Sequence, residues 1–206
     1  MKKLTELCRK RGFTLVELVV VVAIIGVLAG ILIPTMIGVA IDARVTSANR
    51  LARTVNDRSS EFLTKMATQL DTHIGGREKV VIKVERGNWT MVGGSASDWV
   101  DGVNHWTTID TVTGVTGNES FELLSYLSQS MNGIGTAYIE MYVEYSHVLG
   151  VTVVEGSPDP APAMPTDSEF DSRQFSFGGS NRAGYEDGVV IGTCPVLELV
   201  SSETGT

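Results

Sequence analysis

The sequence contains few of the residues on which enzyme chemistry and disulfide-stabilised folds depend, with three histidines and two cysteines among 206 residues. The histidines His73, His105 and His147 are far apart in the sequence, without metal-ligand spacing, and no G-x-S-x-G motif accompanies them. No nucleophile can be paired with a base. The sequence therefore predicts no enzyme, no cofactor and no metal site.

Positive charge is scarce after the first residues. Residues 1–12 carry five basic side chains and one acidic side chain, a net charge of +4, whereas residues 71–206 carry six basic and nineteen acidic side chains, a net charge of −13. Such an acidic region repels phosphate backbones, so we expect no nucleic-acid binding through it. The hydrophobic content of 43% is sufficient for a packed core and excludes a disordered chain.

The run from Leu15 to Ile33 is apolar except for one carboxylate, Glu17. As an α-helix rising 1.5 Å per residue it would be about 29 Å long, close to the roughly 30 Å hydrocarbon layer of a membrane. The run exceeds the roughly 7–15-residue apolar core of a secretory signal, and no A-x-A-like cleavage site follows it. The basic residues before it should stay in the cytoplasm. The sequence therefore predicts a single-pass anchor in the cytoplasmic membrane, with the N-terminus inside.

The stretch RKRGFTLVELVVVVAIIGVLAGILIP resembles the N-terminus of type IV prepilins and of the related pseudopilins. The resemblance rests on the basic leader, Gly12, Phe13, Glu17 and an unbroken apolar helix ending at Pro34, and it covers roughly residues 1–60. It implies that a prepilin peptidase removes the leader, residues 1–12, after Gly12 and that Phe13 is then N-methylated. It also implies that the pilus assembly machinery polymerises the mature chain with other pilin subunits into an extracellular filament.

The new α-amine at Phe13 and the carboxylate of Glu17 would be four residues apart, on one face of the helix. We expect Glu17 to pair with the Phe13 amine of a neighbouring subunit; the alternative is a tolerated charge at the membrane interface. Gly26 and Gly30 form a small-xxx-small pair that permits close helix approach, and Pro34 should bend the helix. The resemblance implies local loss of helicity there in the filament, and the alternative is a simple kink.

The sequence divides into a leader (1–12), a transmembrane and filament-core helix (13–34), an amphipathic continuation of that helix (35–70) and a globular head (71–206). In the continuation, apolar residues recur at multiples of three and four, namely Ile37, Ile41, Val45, Ala48, Ala52, Val55, Phe62, Met66 and Leu70. The arginines of this segment fall mostly off that stripe. They form either a solvated face or pairs with the acidic head of a neighbouring subunit.

The head reads as β-rich, so the fold class is α+β, with the long helix packed against an antiparallel sheet. We predict a hairpin whose two-residue turn is Gly87-Asn88. A short helix should follow a capping box of Thr116 and Glu119. Apolar and polar residues alternate over residues 137–156, which predicts one strand with one solvent-exposed face, on which Glu140 lies. Residues 157–165 contain four prolines and read as an extended surface loop, and residues 187–200 supply a last strand.

Three sets of head residues have alternative interpretations. The tryptophans are interpreted as core or interface anchors rather than a ligand cage. Asp167, Glu169 and Asp171 alternate in the proline-rich loop and could bind calcium, but the pattern lacks the glycine and spacing of a calcium-binding loop, so a solvated loop is favoured. If the leader is removed together with Cys8, only Cys194 remains and no internal disulfide can form. The chain would then differ from the many pilins that close a C-terminal loop with a disulfide.

Three functions fit the sequence. The first is a structural pilin of a type IV pilus, and the second is a pseudopilin of a secretion or DNA-uptake system, which would share the same N-terminus. The third is an unpolymerised surface adhesin anchored in the membrane. Glu17 argues against the third function, because a permanent anchor gains nothing from a charge in its apolar run.

Overall fold

The computed structural model describes residues 13–94, 99–106, 122–131, 133–161, 164–175, 185–186 and 189–199. The chain separates into two compact units, Met1–Asp42 and Ala43–Thr206. In the first unit the described residues are almost entirely helical, and the second unit combines helices with a sheet.

The long helix α1 extends over Leu15–Lys65 and is followed by one π-helical turn, Met66–Leu70. The helix is continuous through Pro34. It stops at Asp71, which adopts a left-handed conformation with φ 51° and donates its backbone N–H to the carbonyl of Met66. This left-handed residue closes the last turn in the manner of a helix C-cap.

A six-stranded antiparallel sheet forms the centre of the second unit. Its strands are β1 Arg77–Glu85, β2 Asn88–Gly93, β3 Ala137–Glu144, β4 His147–Glu155, β6 Tyr185–Glu186 and β7 Val189–Cys194. Across the sheet they lie in the order β2-β1-β3-β4-β7-β6. The remaining elements are α2 Leu123–Ser130, α3 Asp167–Ser172, β5 Gln174–Phe175 and β8 Glu198–Leu199, of which β5 and β8 form a separate parallel pair. The predicted α+β architecture is confirmed.

One face of the sheet packs against the second half of α1. The predicted apolar stripe supplies Ala52, Val55, Phe62 and Met66, all fully buried. The sheet supplies the alternate residues of its central strands, and α2 closes the cluster with Leu123 and Leu127. The helix closely approaches β7 at Gly192, where a Cβ atom would collide with the backbone of Ala48. The amphipathic pattern thus correctly predicted the buried side of the helix from Ala48 to Met66, whereas Ile37 of the same predicted stripe is 58% exposed.

The opposite face of the sheet is also covered, which the sequence reading did not predict. Val81, Tyr138, Val154 and Ile191 pack there under residues of the proline-rich segment and of α3, namely Ala161, Met164 and Phe170. The expectation that Glu140 lies on a wet face is wrong, because the residue is only 3% exposed. Its carboxylate is held by Lys79 Nζ at 2.7 Å and by the Tyr138 hydroxyl at 3.1 Å.

The β1–β2 hairpin exists, but its predicted turn is displaced by one residue. Glu85 pairs with Asn88, so the two turn residues are Arg86 and Gly87 rather than Gly87 and Asn88. Both have positive φ, 51° and 83°, as a type I′ turn requires. Arginine is uncommon at such a position, which is why the sequence favoured the pair containing asparagine.

The predicted single strand over residues 137–156 is wrong, because the chain turns back at Tyr145 and Ser146. These residues have φ values of 44° and 72° and join β3 to β4 as an antiparallel hairpin. Tyr145, which the alternation placed on the apolar side of the strand, is 59% exposed at the hairpin tip. The turn contains neither glycine nor asparagine, so apolar alternation continues through it in the sequence.

Several smaller expectations changed or lie outside the described residues. The proline-rich segment is not fully a surface loop, since Ala161 and Pro165 are buried. The last predicted strand divides into β7 and β8. The capping box of Thr116 and Glu119 lies outside the described residues, as do residues 200–206.

Candidate assembly site

The start of α1 is stabilised by a reciprocal hydrogen-bond arrangement between Thr14 and Glu17. Thr14 donates its backbone N–H to Glu17 Oε2 at 2.9 Å and its hydroxyl to the same oxygen at 2.7 Å. In return, the Glu17 backbone N–H donates to Thr14 Oγ1 at 3.3 Å. With Leu15 as the first helical residue, this is a capping box, in which an N-cap threonine and a glutamate three residues later satisfy each other's backbone donors.

The capping box was missed in the sequence, although the T-x-x-E pattern of Thr14 to Glu17 was available as a signal. Its consequence is that the Glu17 carboxylate points back toward the N-terminal end of the helix. At that end of the helix, the positive end of the helix dipole also stabilises the negative charge of Glu17. Phe13 is the first described residue and is 79% exposed, while Gly12 lies outside the described residues. Cleavage after Gly12, methylation of Phe13 and pairing of Glu17 with a neighbour therefore stay predictions.

The surface of α1 in the first unit is almost entirely apolar and uncovered. Its large hydrophobic side chains between Phe13 and Val39 are 47% to 79% exposed. The helix over Leu15–Leu70 is long and apolar enough to cross a membrane, with a mean hydropathy of 3.0 in its most apolar 18-residue window, which is not buried. Exposed apolar area of this extent needs lipid or other helices around it.

Gly26 and Gly30 face open space in the single chain, since a Cβ atom on either would have no neighbour within 4 Å. Intrachain packing therefore does not require glycine at these positions. Pro34 lies inside the helix and cannot donate to the carbonyl of Gly30, one turn earlier. Close approach by another helix would explain the glycines, and this role stays a prediction.

The three alternating carboxylates of the head do not lie in a solvated loop, contrary to the expectation from the sequence. Asp167, Glu169 and Asp171 lie in α3, where Glu169 forms a capping box with Thr166. Asp167 and Asp171 bind one guanidinium, that of Arg77, at 3.2 and 2.9 Å. Arg77 also contacts a third carboxylate, Glu144, at 3.4 Å. These hydrogen bonds raise the pKa of the Arg77 guanidinium further above its ordinary value. Asp167 and Asp171 thus connect α3 to β1 through the side chain of Arg77.

The structure brings two of the histidines, His73 and His147, to the lining of one surface pocket. Within the described ranges, no three His, Cys, Asp or Glu residues are arranged to hold a metal ion. His105 is buried, and its Nε2 lies 2.8 Å from Asp101 Oδ2. Its ring stacks edge-on at 4.8 Å from Trp99. Trp99 and Trp106 are core residues, as predicted, and they contact each other at 4.9 Å between ring centroids.

The N-terminal segment matches the prokaryotic N-terminal methylation motif over residues 7–33. Together with the apolar helix and the α+β head, this match defines the protein as a type IV pilin-like precursor, a class that includes pilins and pseudopilins. A second family model, described as a domain of unknown function, DUF5021, matches residues 45–198. Because that match covers most of the chain, the protein belongs to the DUF5021 family. No curated protein and no solved structure matches the chain.

Proposed function

We propose that the protein is a structural pilin, which a prepilin peptidase cleaves after Gly12 and which then polymerises into an extracellular type IV pilus. The observation that carries the proposal is the uncovered apolar surface of α1 in the first unit, whose only charge before Asp42 is Glu17. Before assembly, the cytoplasmic membrane covers this surface. In the filament, the same surface of neighbouring subunits replaces lipid.

Glu17 supports assembly over permanent anchorage. In the membrane its position one turn from the helix start lets the carboxylate reach the headgroups, so its cost is below the roughly 2.5–3.5 kcal/mol of a charge at the bilayer centre. In a filament core without headgroups, a carboxylate needs a partner. The α-amine that cleavage creates at Phe13 of a neighbouring subunit supplies one.

The test is to shear cells that express an epitope-tagged copy of the chain and to examine the released material by immunogold electron microscopy. We expect thin labelled filaments whose subunit, by intact mass, starts at methylated Phe13. Cleaved and methylated protein without surface filaments would instead favour a pseudopilin. Retention of residues 1–12 on the surface protein would contradict polymerisation and favour an anchored adhesin.

A further inference from the structure

Arg53 and Asp57 lie one turn apart on the exposed side of α1 within the second unit. Neither side chain takes part in the salt bridges of the described residues, although Arg58 and Glu61 beside them do. A cation four residues before an anion is the less favourable order for a pair within one helix. The two charges are therefore available to a partner outside the chain.

The same arrangement occurs at the start of the mature helix. The Phe13 amine that cleavage would create precedes Glu17 by four residues, as Arg53 precedes Asp57. Of the five basic side chains of α1, only Arg53 has a carboxylate four residues later, because the corresponding residues after the others are Ala48, Thr54, Phe62 and Gln69. The helix thus carries two pairs with the same spacing and the same order of charges.

Because the two pairs have the same spacing, one axial shift between two parallel copies of α1 brings both cations level with carboxylates of the neighbour. Four residues of α-helix correspond to about 6 Å along the axis. If one copy of α1 is shifted by that amount, its Phe13 amine becomes level with the neighbour's Glu17. The same shift brings its Arg53 level with the neighbour's Asp57. One subunit then contributes both cations and the other contributes both carboxylates.

We propose that Arg53 and Asp57 form a second intersubunit contact, in which the guanidinium of one copy of this chain binds the carboxylate of the next. The inference rests on the proposed function, because it needs a filament of parallel helices. A single exposed ion pair is weak. In a filament the contact recurs at every subunit, and like charges placed opposite each other oppose assembly.

Charge reversal tests the contact. Arg53→Glu or Asp57→Arg, each expressed as the only copy of the subunit, should lower the yield of sheared filaments about tenfold, because each places like charges together. The double variant Arg53→Glu/Asp57→Arg restores opposite charges at the same displacement and should recover wild-type yield. Arg44→Glu is the matched control: it reverses an exposed arginine of the same helix that has Ala48 four residues later, and it should assemble normally.

Cross-linking tests the register directly. In a Cys194→Ser background, cells that co-express Arg53→Cys and Asp57→Cys subunits should give dimers when intact filaments are treated with a short bismaleimide. Filaments of either cysteine variant alone should give none. The contact is overturned if both charge reversals give a normal filament yield, or if the double variant does not restore the yield that the single reversals lose. In either case, the presence of wild-type filaments still supports the proposed function. Absence of wild-type filaments would instead overturn the proposed function and the contact with it.

Discussion

The Glu17 carboxylate has enough acceptor capacity to cap its own helix and to bind a neighbouring subunit. Both hydrogen bonds from Thr14 end on Oε2. Among the described residues, Oε1 receives no hydrogen bond. An ionised carboxylate accepts through both oxygens, so a neighbour's Phe13 amine could bind Oε1 without breaking the capping box. Capping and pairing are therefore separable by substitution.

Glutamine at position 17 is the substitution that separates them. Glu17→Gln keeps the capping box, because glutamine also serves at the third helical position, but it removes the charge. We expect Glu17→Gln and Glu17→Ala to be inserted and cleaved but to polymerise poorly, since an unpaired buried amine costs about 3–5 kcal/mol. Glu17→Asp keeps the charge with a shorter reach and should be intermediate.

Each Glu17 variant is measured by immunoblot of sheared filaments against the membrane pool, with the variant as the only copy of the subunit. If Glu17→Gln assembles normally while Glu17→Ala fails, capping alone explains the residue. Normal yield from both variants would mean that Glu17 is a tolerated charge at the membrane interface.

The two hairpins of the head differ in how far the sequence predicts them. The β1–β2 hairpin could be found from the alternation of Val80, Ile82 and Val84 and from Gly87, and only the position of its turn was missed. The β3–β4 hairpin could not, because its turn is Tyr145-Ser146, two residues that rarely adopt positive φ. The sequence also gave no sign that Arg77 binds Asp167 and Asp171, which lie 90 and 94 residues later and meet it only through tertiary folding.

The β3–β4 turn should be improved by glycine. Ser146 has a φ of 72°, and its buried hydroxyl has no hydrogen-bond partner among the described residues. Ser146→Gly removes the left-handed strain of a residue with a Cβ atom and should raise the free energy of unfolding by about 1 kcal/mol. The measurement is thermal unfolding of the detergent-solubilised chain, followed by near-ultraviolet circular dichroism of the head tryptophans. Ser146→Ala removes the hydroxyl and keeps the strain, so an equal gain from alanine would assign the effect to the hydroxyl instead.

The two units of the chain differ in whether their apolar side chains are buried within the chain. In the second unit, elements of the same chain cover both faces of the sheet. Arg77 and Lys83 of the sheet also bind carboxylates of the elements that cover it. In the first unit, the apolar side chains remain uncovered. Composition predicts this division, because the apolar run and the acidic head separate in the sequence. It does not identify what covers the apolar surface of the first unit.

Removal of the leader also changes the number of cysteines, which gives a test of processing for the whole molecule. The full sequence contains Cys8 and Cys194, and the predicted cleavage after Gly12 would leave only Cys194. Cys194 is half-buried. Burial is the largest cause that raises the pKa of its thiol, and the negative charge of nearby Asp57 raises this pKa further. A raised pKa lowers the thiolate fraction, and the thiolate is the species that alkylating reagents attack. Alkylation of native filaments should therefore be slow, while alkylation after denaturation should be complete.

We expect denatured filament subunits to gain one carbamidomethyl group with iodoacetamide and to start at methylated Phe13 by intact mass. A Gly12→Val precursor, whose added side chain should hinder the peptidase at the cleaved bond, should stay in the membrane and gain two groups. On a non-reducing denaturing gel the subunit should run as a monomer, or at most as a cross-linked dimer, because one thiol cannot bridge within a chain. Two carbamidomethyl groups on the filament subunit would show that Cys8 and the leader were retained, which would contradict the pilin assignment.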